Sequence, residues 1–363
     1  MEGEISNCIK VCLAIFLSLS YCYYIGKRVT KGTKRLLFIL PIICLFLLLP
    51  LNLTSINCGG TIGLYISWLA NFKLLLFAFG KGPLSNPNPS ISLTSFLTNA
   101  SFPIEIKENP PQKPSHKPKN GRNKQTPFPK NPKKSQLWIL NYGAKGLILA
   151  ILVLRIFNYK EYFHKKVILF LYCLYVYLIL DIVLSAMRAL ARALFGLELE
   201  PHFDEPYLSS SLQDFWGRRW NLMVSRALRP TVYEPTLNFS EPIIGRRWAP
   251  LPAVAATFLV SGLMHELIFY YWSHVAPTWE VTWFFVIHGF CLAVEIALKK
   301  KFTGRWRLPP VVSGILTVLF VMETCFWLFF PQILRCEADV RLLQEYASMA
   351  DFLRNFTQKL PLI

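Results

Sequence analysis

His265 lies inside an uninterrupted apolar stretch, 251–272 (LPAVAATFLVSGLMHELIFYYW), and is followed at once by Glu266. About 20 helical residues at ~1.5 Å each cross the ~30 Å hydrocarbon core of a bilayer. An ionisable group at that depth costs several kcal/mol unless it is paired or faces a wet cavity, so it usually marks function. Ser261 precedes the histidine by four residues and shares its helix face, so its hydroxyl is expected to orient the imidazole. Glu266 projects about a quarter-turn away as a supporting group. Gly262 thins the helix there, leaving room for a ligand or a close helix contact. A neutral imidazole can take the proton of an alcohol while that oxygen attacks an activated acyl group. His265 lies ~20 Å along a span that begins at residue 251, a depth that suits a hydroxyl arriving from within the bilayer.

A polar, basic and aromatic segment, SLQDFWGRRWN (211–221), runs just upstream. Arg218 and Arg219, between Trp216 and Trp220, are placed to grip the phosphates of a cytosolic co-substrate through bidentate contacts. Asn221 is placed to donate to a thioester carbonyl as charge develops on its oxygen. The plainer alternative is an interfacial helix with Trp at headgroup level and snorkelling Arg. His288, on the apolar stretch FFVIHGF, is assigned a structural role. Asp181, Glu295, Glu323, Lys73 and Lys145 are expected to satisfy one another or to line a cavity. Several other chemistries lack their motifs: there is no GxSxG elbow, no histidine iron box, no P-loop, no NHxxxxD and no DHHC core. The nine cysteines form no CxxC pair, so neither a zinc site nor a disulfide framework is legible.

These groups must be held by membrane helices. Of 363 residues, 53% are hydrophobic and 17% charged, with a mean hydropathy of +0.37, which excludes an ordinary soluble domain. Charge-poor runs predict about eight spans: 9–25, 36–53, 62–79, 137–157, 167–187, 251–272, 283–298 and 311–330. The fourth is interrupted by Lys145 and Arg155. The fold class is therefore all-α and polytopic. The net charge of +18 gathers outside these runs, at Lys27–Arg35, at 107–134 and at Lys299–Arg307. The positive-inside rule then puts all three clusters and residues 188–250 in the cytosol, with a lumenal N-terminus. Lys160, Lys165 and Lys166 run against this pattern. Nucleic acid is not an expected partner. The Pro/Lys-rich stretch 101–136 is expected to be a disordered cytosolic loop, dividing N-terminal helices 1–100 from a core over 137–363.

SLQDFWGRRWNLMVSRALRPTVYEP followed by FLVSGLMHELIFYY resembles the plant wax synthase-like branch of membrane-bound O-acyltransferases. ISWLANFKLLLFAFGKGPLS and FTGRWRLPP extend the resemblance over nearly the whole chain, with the most family-like part at about 188–275. It implies His265 as catalytic base and Asn221 as its polar partner. It also implies a buried tunnel, direct transfer from acyl-CoA, residence in the endoplasmic reticulum, and no metal or further cofactor. The expected acceptor is a long-chain alcohol or a sterol. Diacylglycerol is the alternative, which the triplet Met264, His265, Glu266 disfavours, since the acetylating members carry MHD. The rival from another class is a lipid transporter or scaffold, against which the absence of internal repeats argues.

Overall fold

The computed structural model describes residues 2–85, 92–102, 132–159, 162–195, 202–302 and 309–359. Helices are the only regular structure among them. In chain order they are α1 Glu2–Arg28, α2 Thr33–Leu48, α3 Ile56–Ile62, α4 Asn71–Ala78, α5 Leu93–Ser101, α6 Pro132–Tyr159, α7 Lys165–Phe195 and α8 Leu212–Asp214. There follow α9 Leu222–Leu228, α10 Glu234–Ile244, α11 Pro250–Ser273, α12 Glu280–Lys301, α13 Pro310–Thr324, α14 Phe330–Arg335 and α15 Ala338–Lys359. Four π-helical stretches, Gly63–Ala70, Phe215–Arg219, Arg229–Tyr233 and Cys325–Phe329, join neighbouring helices. Proline explains two of them. Pro235 offers no N–H to the Thr231 carbonyl and Pro331 none to that of Trp327, so the α register cannot run on.

Among the described residues seven helical runs are long and apolar enough to cross a membrane: Gly3–Arg28, Thr33–Asn52, Ile56–Ala78, Lys165–Leu190, Pro250–Ser273, Glu280–Lys301 and Pro310–Arg335. The eighth predicted span, 137–157, forms α6, but its apolar part is confined to Leu140–Val153. Lys145 interrupts it and is neutralised by Asp181 on α7 at 2.6 Å. Lys73 donates to the Asn99 and Phe102 carbonyls at the end of α5, and Glu295 holds Lys299 and the Leu212 N–H. The loop predicted over 101–136 falls, from 103 to 131, outside the described residues.

The chain divides into two compact units, the first formed by Met1–Pro103, Ser210–Gln213 and Met223–Ile363. Its N-terminal core is built from stripes at helical spacing: Val11, Ile15, Leu19 and Cys22 of α1 meet Ile39, Ile43 and Phe46 of α2, Leu74 and Phe77 of α4, and Phe96 of α5. Pro50 leaves the Phe46 carbonyl without its helical donor, and the Ser67 hydroxyl supplies one instead. Asn71 and Tyr271 donate in the same way to the Ile43 and Leu47 carbonyls, at 3.1 and 2.7 Å. Glycine lets α11 approach its neighbours. A Cβ on Gly262 would lie 3.0 Å from the Thr282 Cα, one on Gly289 2.7 Å from the Phe258 Cβ, and one on Gly60 2.4 Å from the Trp272 indole nitrogen.

Polar clasps close both ends of this unit. At one end Glu4 accepts from Thr54 and Ser55, Glu345 accepts from Ile56 and Asn57, and Arg341 donates to the carbonyls of Thr54 and Trp272. At the other, Arg35 donates to the carbonyls of Gly26, Val29 and Phe77, while Arg247 and Lys300 each donate to the other's carbonyl. The basic clusters at 27–35 and 299–301 therefore share one end, as their sequence positions predict. The second unit, Ile104–Ser209 with Asp214–Leu222, contains the α6–α7 pair and residues 214–221 of the basic-aromatic segment.

The α11–α12 contact yields a sharp expectation. In Gly262→Ala the new methyl meets rigid backbone, and forcing it in costs about 1–3 kcal/mol. Thermal unfolding in detergent should show a lower Tm than wild type. An unchanged Tm would mean that the two helices are not packed backbone to backbone.

Candidate active site

His265 is half-buried on α11, within a cage of three rings brought by three different spans. The Phe285 ring of α12 lies 4.4 Å from the imidazole, the Trp68 indole of the first π stretch 5.6 Å, and Phe329 of the last π stretch 5.9 Å. The imidazole Nδ1 is 2.7 Å from the Ser261 carbonyl oxygen. A carbonyl only accepts, so the proton resides on Nδ1 and Nε2 carries the lone pair. Nε2 has no hydrogen-bond partner among the described residues. A ring in this state is a ready proton acceptor in an apolar cage.

This corrects the expectation for Ser261, because it is the backbone carbonyl, and not the hydroxyl, that orients the ring. Helical side chains lean toward the N-terminus while carbonyls point toward the C-terminus. The Ser261 hydroxyl therefore leans away from residue 265, and its carbonyl points at it. Glu266 is 2% exposed and faces α12, where one carboxylate oxygen accepts from the Thr282 N–H at 3.0 Å. It thus satisfies one of the orphan donors in the first turn of α12, and its other oxygen has no partner. Gly262, open to two readings in the sequence, serves close helix packing. His288 is fully buried and its Nε2 lies 2.8 Å from the Thr324 hydroxyl, a structural bond between α12 and α13.

In the second unit the basic-aromatic segment folds back on the chain before it. The Asp204 N–H donates to the Arg219 carbonyl at 3.0 Å, and the Leu222 N–H to that of His202 at 2.8 Å. Arg219 donates through Nε to Asp214 at 2.9 Å and through Nη1 to the carbonyls of Asp204 and Glu205. Its Nε and Nη1 are therefore engaged within its own segment. Arg218 is exposed and has no partner among the described residues. Trp220 stacks on Phe215 at 5.5 Å and meets Phe203 and Trp216 edge-on. Asn221 follows with φ 40°, a left-handed conformation that asparagine tolerates. Its buried Oδ1 has no partner among the described residues.

Trp68, Phe285 and Phe329 escaped the sequence reading, because aromatic residues in apolar spans look like ordinary core. Trp68 is the most consequential. It is 1% exposed among Leu64, Phe72, Val260 and Met264, and its indole N–H has no partner among the described residues. Nothing local in ISWLANFK separates this indole from a packing residue.

Residues 199–287 match the model of the membrane bound O-acyl transferase family. An acyl-CoA–sterol O-acyltransferase 1 of Arabidopsis thaliana is 43% identical over 97% of this chain and 97% of its own length. A probable long-chain-alcohol O-fatty-acyltransferase 1 of the same plant is 43% identical over 98% and 99% of the two chains. A long-chain-alcohol O-fatty-acyltransferase of Simmondsia chinensis is 43% identical over 99% and 97%.

The bond from Glu266 to α12 needs an acceptor, not a charge. Glu266→Gln should therefore keep near wild-type stability, whereas Glu266→Ala leaves a buried N–H unpaired at a cost of about 1–3 kcal/mol. Comparison of Tm and membrane accumulation for the two variants checks this; equal losses would place the role in the carboxylate charge.

Proposed function

The chain belongs to the membrane bound O-acyl transferase family, and from that premise we propose that His265 is the general base of an acyl-CoA-dependent transfer to a lipophilic alcohol. The protein is a multi-pass membrane acyltransferase of this kind. The observation that supports His265 as its base is the fixed tautomer: Nδ1 bound to the Ser261 carbonyl, Nε2 free inside the aromatic cage. In the reaction Nε2 takes the alcohol proton as the alcohol oxygen bonds to the thioester carbonyl carbon. The carbonyl electrons move onto oxygen, where the Asn221 amide donates a hydrogen bond. Collapse re-forms the carbonyl and breaks the carbon–sulfur bond, and the imidazolium returns its proton to the CoA thiolate. No covalent acyl-enzyme intervenes, and acyl-CoA acts without a metal or further cofactor. The Trp68 N–H donates to the alcohol oxygen and holds its proton toward Nε2. Arg218 grips a CoA phosphate from the cytosolic side, beside the Trp216 and Trp220 rings. The acceptor is a long-chain alcohol or a sterol, and the membrane is the endoplasmic reticulum.

Microsomes from cells expressing the chain, given labelled acyl-CoA with fatty alcohols, sterols and diacylglycerol in turn, test the whole reading. Ester should form above vector control with a fatty alcohol or a sterol. His265→Ala should lower that rate about 10²–10⁴-fold while accumulating normally. Trp68→Phe keeps a ring in the cage but removes the donor, and a loss of about tenfold in kcat is expected, the worth of one hydrogen bond. A His265→Ala rate within threefold of wild type would move the base elsewhere.

Arg218→Ala should chiefly raise the KM for acyl-CoA, because a phosphate grip holds ground and transition states alike. Asn221→Ala should lower kcat about 10²-fold instead. A normal KM in Arg218→Ala would return that arginine to an interfacial role.

A further inference from the structure

The polar groups between α6 and α7 have no part in this chemistry, yet they are costly to bury. Asp181, Ser185 and Arg188 follow one another on α7 at spacings of four and three, so they share a face. All three are buried, Arg188 to 8% exposure. On α6, Lys145 Nζ donates to Asp181 at 2.6 Å, and the Tyr142 hydroxyl lies 2.8 Å from Ser185 Oγ. Arg188 Nη2 donates to that same Ser185 oxygen at 2.7 Å, and Arg188 Nε has no partner among the described residues.

Among the described residues the charges do not balance. Lys145 and Asp181 cancel each other, while the guanidinium, which proteins do not deprotonate, faces only a neutral hydroxyl. The other described carboxylates of this unit do not offset it: Asp214 pairs with Arg219, and Asp204 and Glu205 are exposed. A buried charge without a counter-charge is strongly destabilising, so such a site calls for an anion. A snorkelling arginine at a span end reaches for headgroup water, but this one is buried. Its depth is informative as well. Arg188 follows Lys165 by 23 residues, ~35 Å along the helix, near the end of the crossing Lys165–Leu190. That is the level of phosphate groups at a bilayer surface.

We propose that Arg188, with the Ser185 and Tyr142 hydroxyls, forms a binding site for a phosphate group. A guanidinium fork suits phosphate oxygens, and the free Nε–H supplies a donor that the protein leaves unused. The phosphate belongs either to the acyl-CoA co-substrate, an assignment that rests on the function proposed above, or to a phospholipid headgroup, which does not.

Full-length protein purified in an uncharged maltoside detergent allows a direct test by thermal unfolding. Coenzyme A is compared with pantetheine, which lacks the phosphates, and phosphatidic acid with diacylglycerol. A phosphate ligand at about 100 times its Kd should raise the wild-type Tm by about 3 °C or more. Arg188→Gln, which keeps a hydrogen-bonding side chain but no charge, should start at or above the wild-type Tm and lose that rise. Arg188→Lys should keep part of it. A rise with coenzyme A but not pantetheine assigns the site to the co-substrate; a rise with phosphatidic acid but not diacylglycerol assigns it to lipid. No Arg188-dependent rise with either probe overturns the proposal. A lower starting Tm in Arg188→Gln also overturns it, since the arginine is then a structural member. Ester formation is followed separately in the same preparation. An Arg188-dependent rise in a protein that makes no ester sinks the acyltransferase reading and leaves the phosphate site standing.

Discussion

Within hydrocarbon there is no water to complete a hydrogen bond, so each polar group keeps only the partner that the protein supplies. That constraint fixes the chemistry at His265. Its Nδ1 proton has one acceptor within reach, the Ser261 carbonyl, and taking it leaves Nε2 as the basic nitrogen. The same constraint holds the helices around it together. Pro50 and the turn after α2 free carbonyls that Ser67 and Tyr271 then fill, and Tyr271 lies on α11 two turns beyond His265. The residues that orient the base and those that dock its helix thus obey a single rule.

Close approach is the second requirement, and glycine and π-helical turns meet it together. Gly262 and Gly289 bring the backbones of α11 and α12 near enough for Phe285 to lie against the imidazole. A π turn carries an extra residue, which re-aims the side chains it holds. Two of the four π stretches contribute the Trp68 and Phe329 rings to the cage, and a third carries Trp216, Arg218 and Arg219. Irregular helix is concentrated where side chains must point in directions that a regular helix would not give.

The groups that the protein leaves unsatisfied are as telling as those it pairs. Arg219 is engaged through Nε and Nη1, and so braces its own segment. The Trp68 N–H, the Asn221 amide oxygen and Arg188 Nε are buried without partners. An orphaned polar atom is expensive in such a medium, and these three are the ones at which the proposals above place a ligand.

The sequence by itself determined the membrane class and predicted about eight spans, of which seven are long apolar helices among the described residues and one is α6, because hydropathy over some twenty residues is a local property. It marked His265 and Asn221 because a polar residue in an apolar or aromatic run stands out without any knowledge of its neighbours. Glu266 could be singled out in the same way, but not its role, since its partner Thr282 lies on another helix. Ser261 was named for the wrong atom: spacing gives the helix face, while the direction of a carbonyl against a side chain decides which group makes the bond. Trp68, Phe285 and Phe329 were invisible, because an aromatic residue in a span reads as core until packing sets it against an imidazole. Only tertiary structure separated Arg218 from Arg219, two adjacent residues of one type, because their difference lies in the carboxylate and carbonyls that the fold brings to one of them.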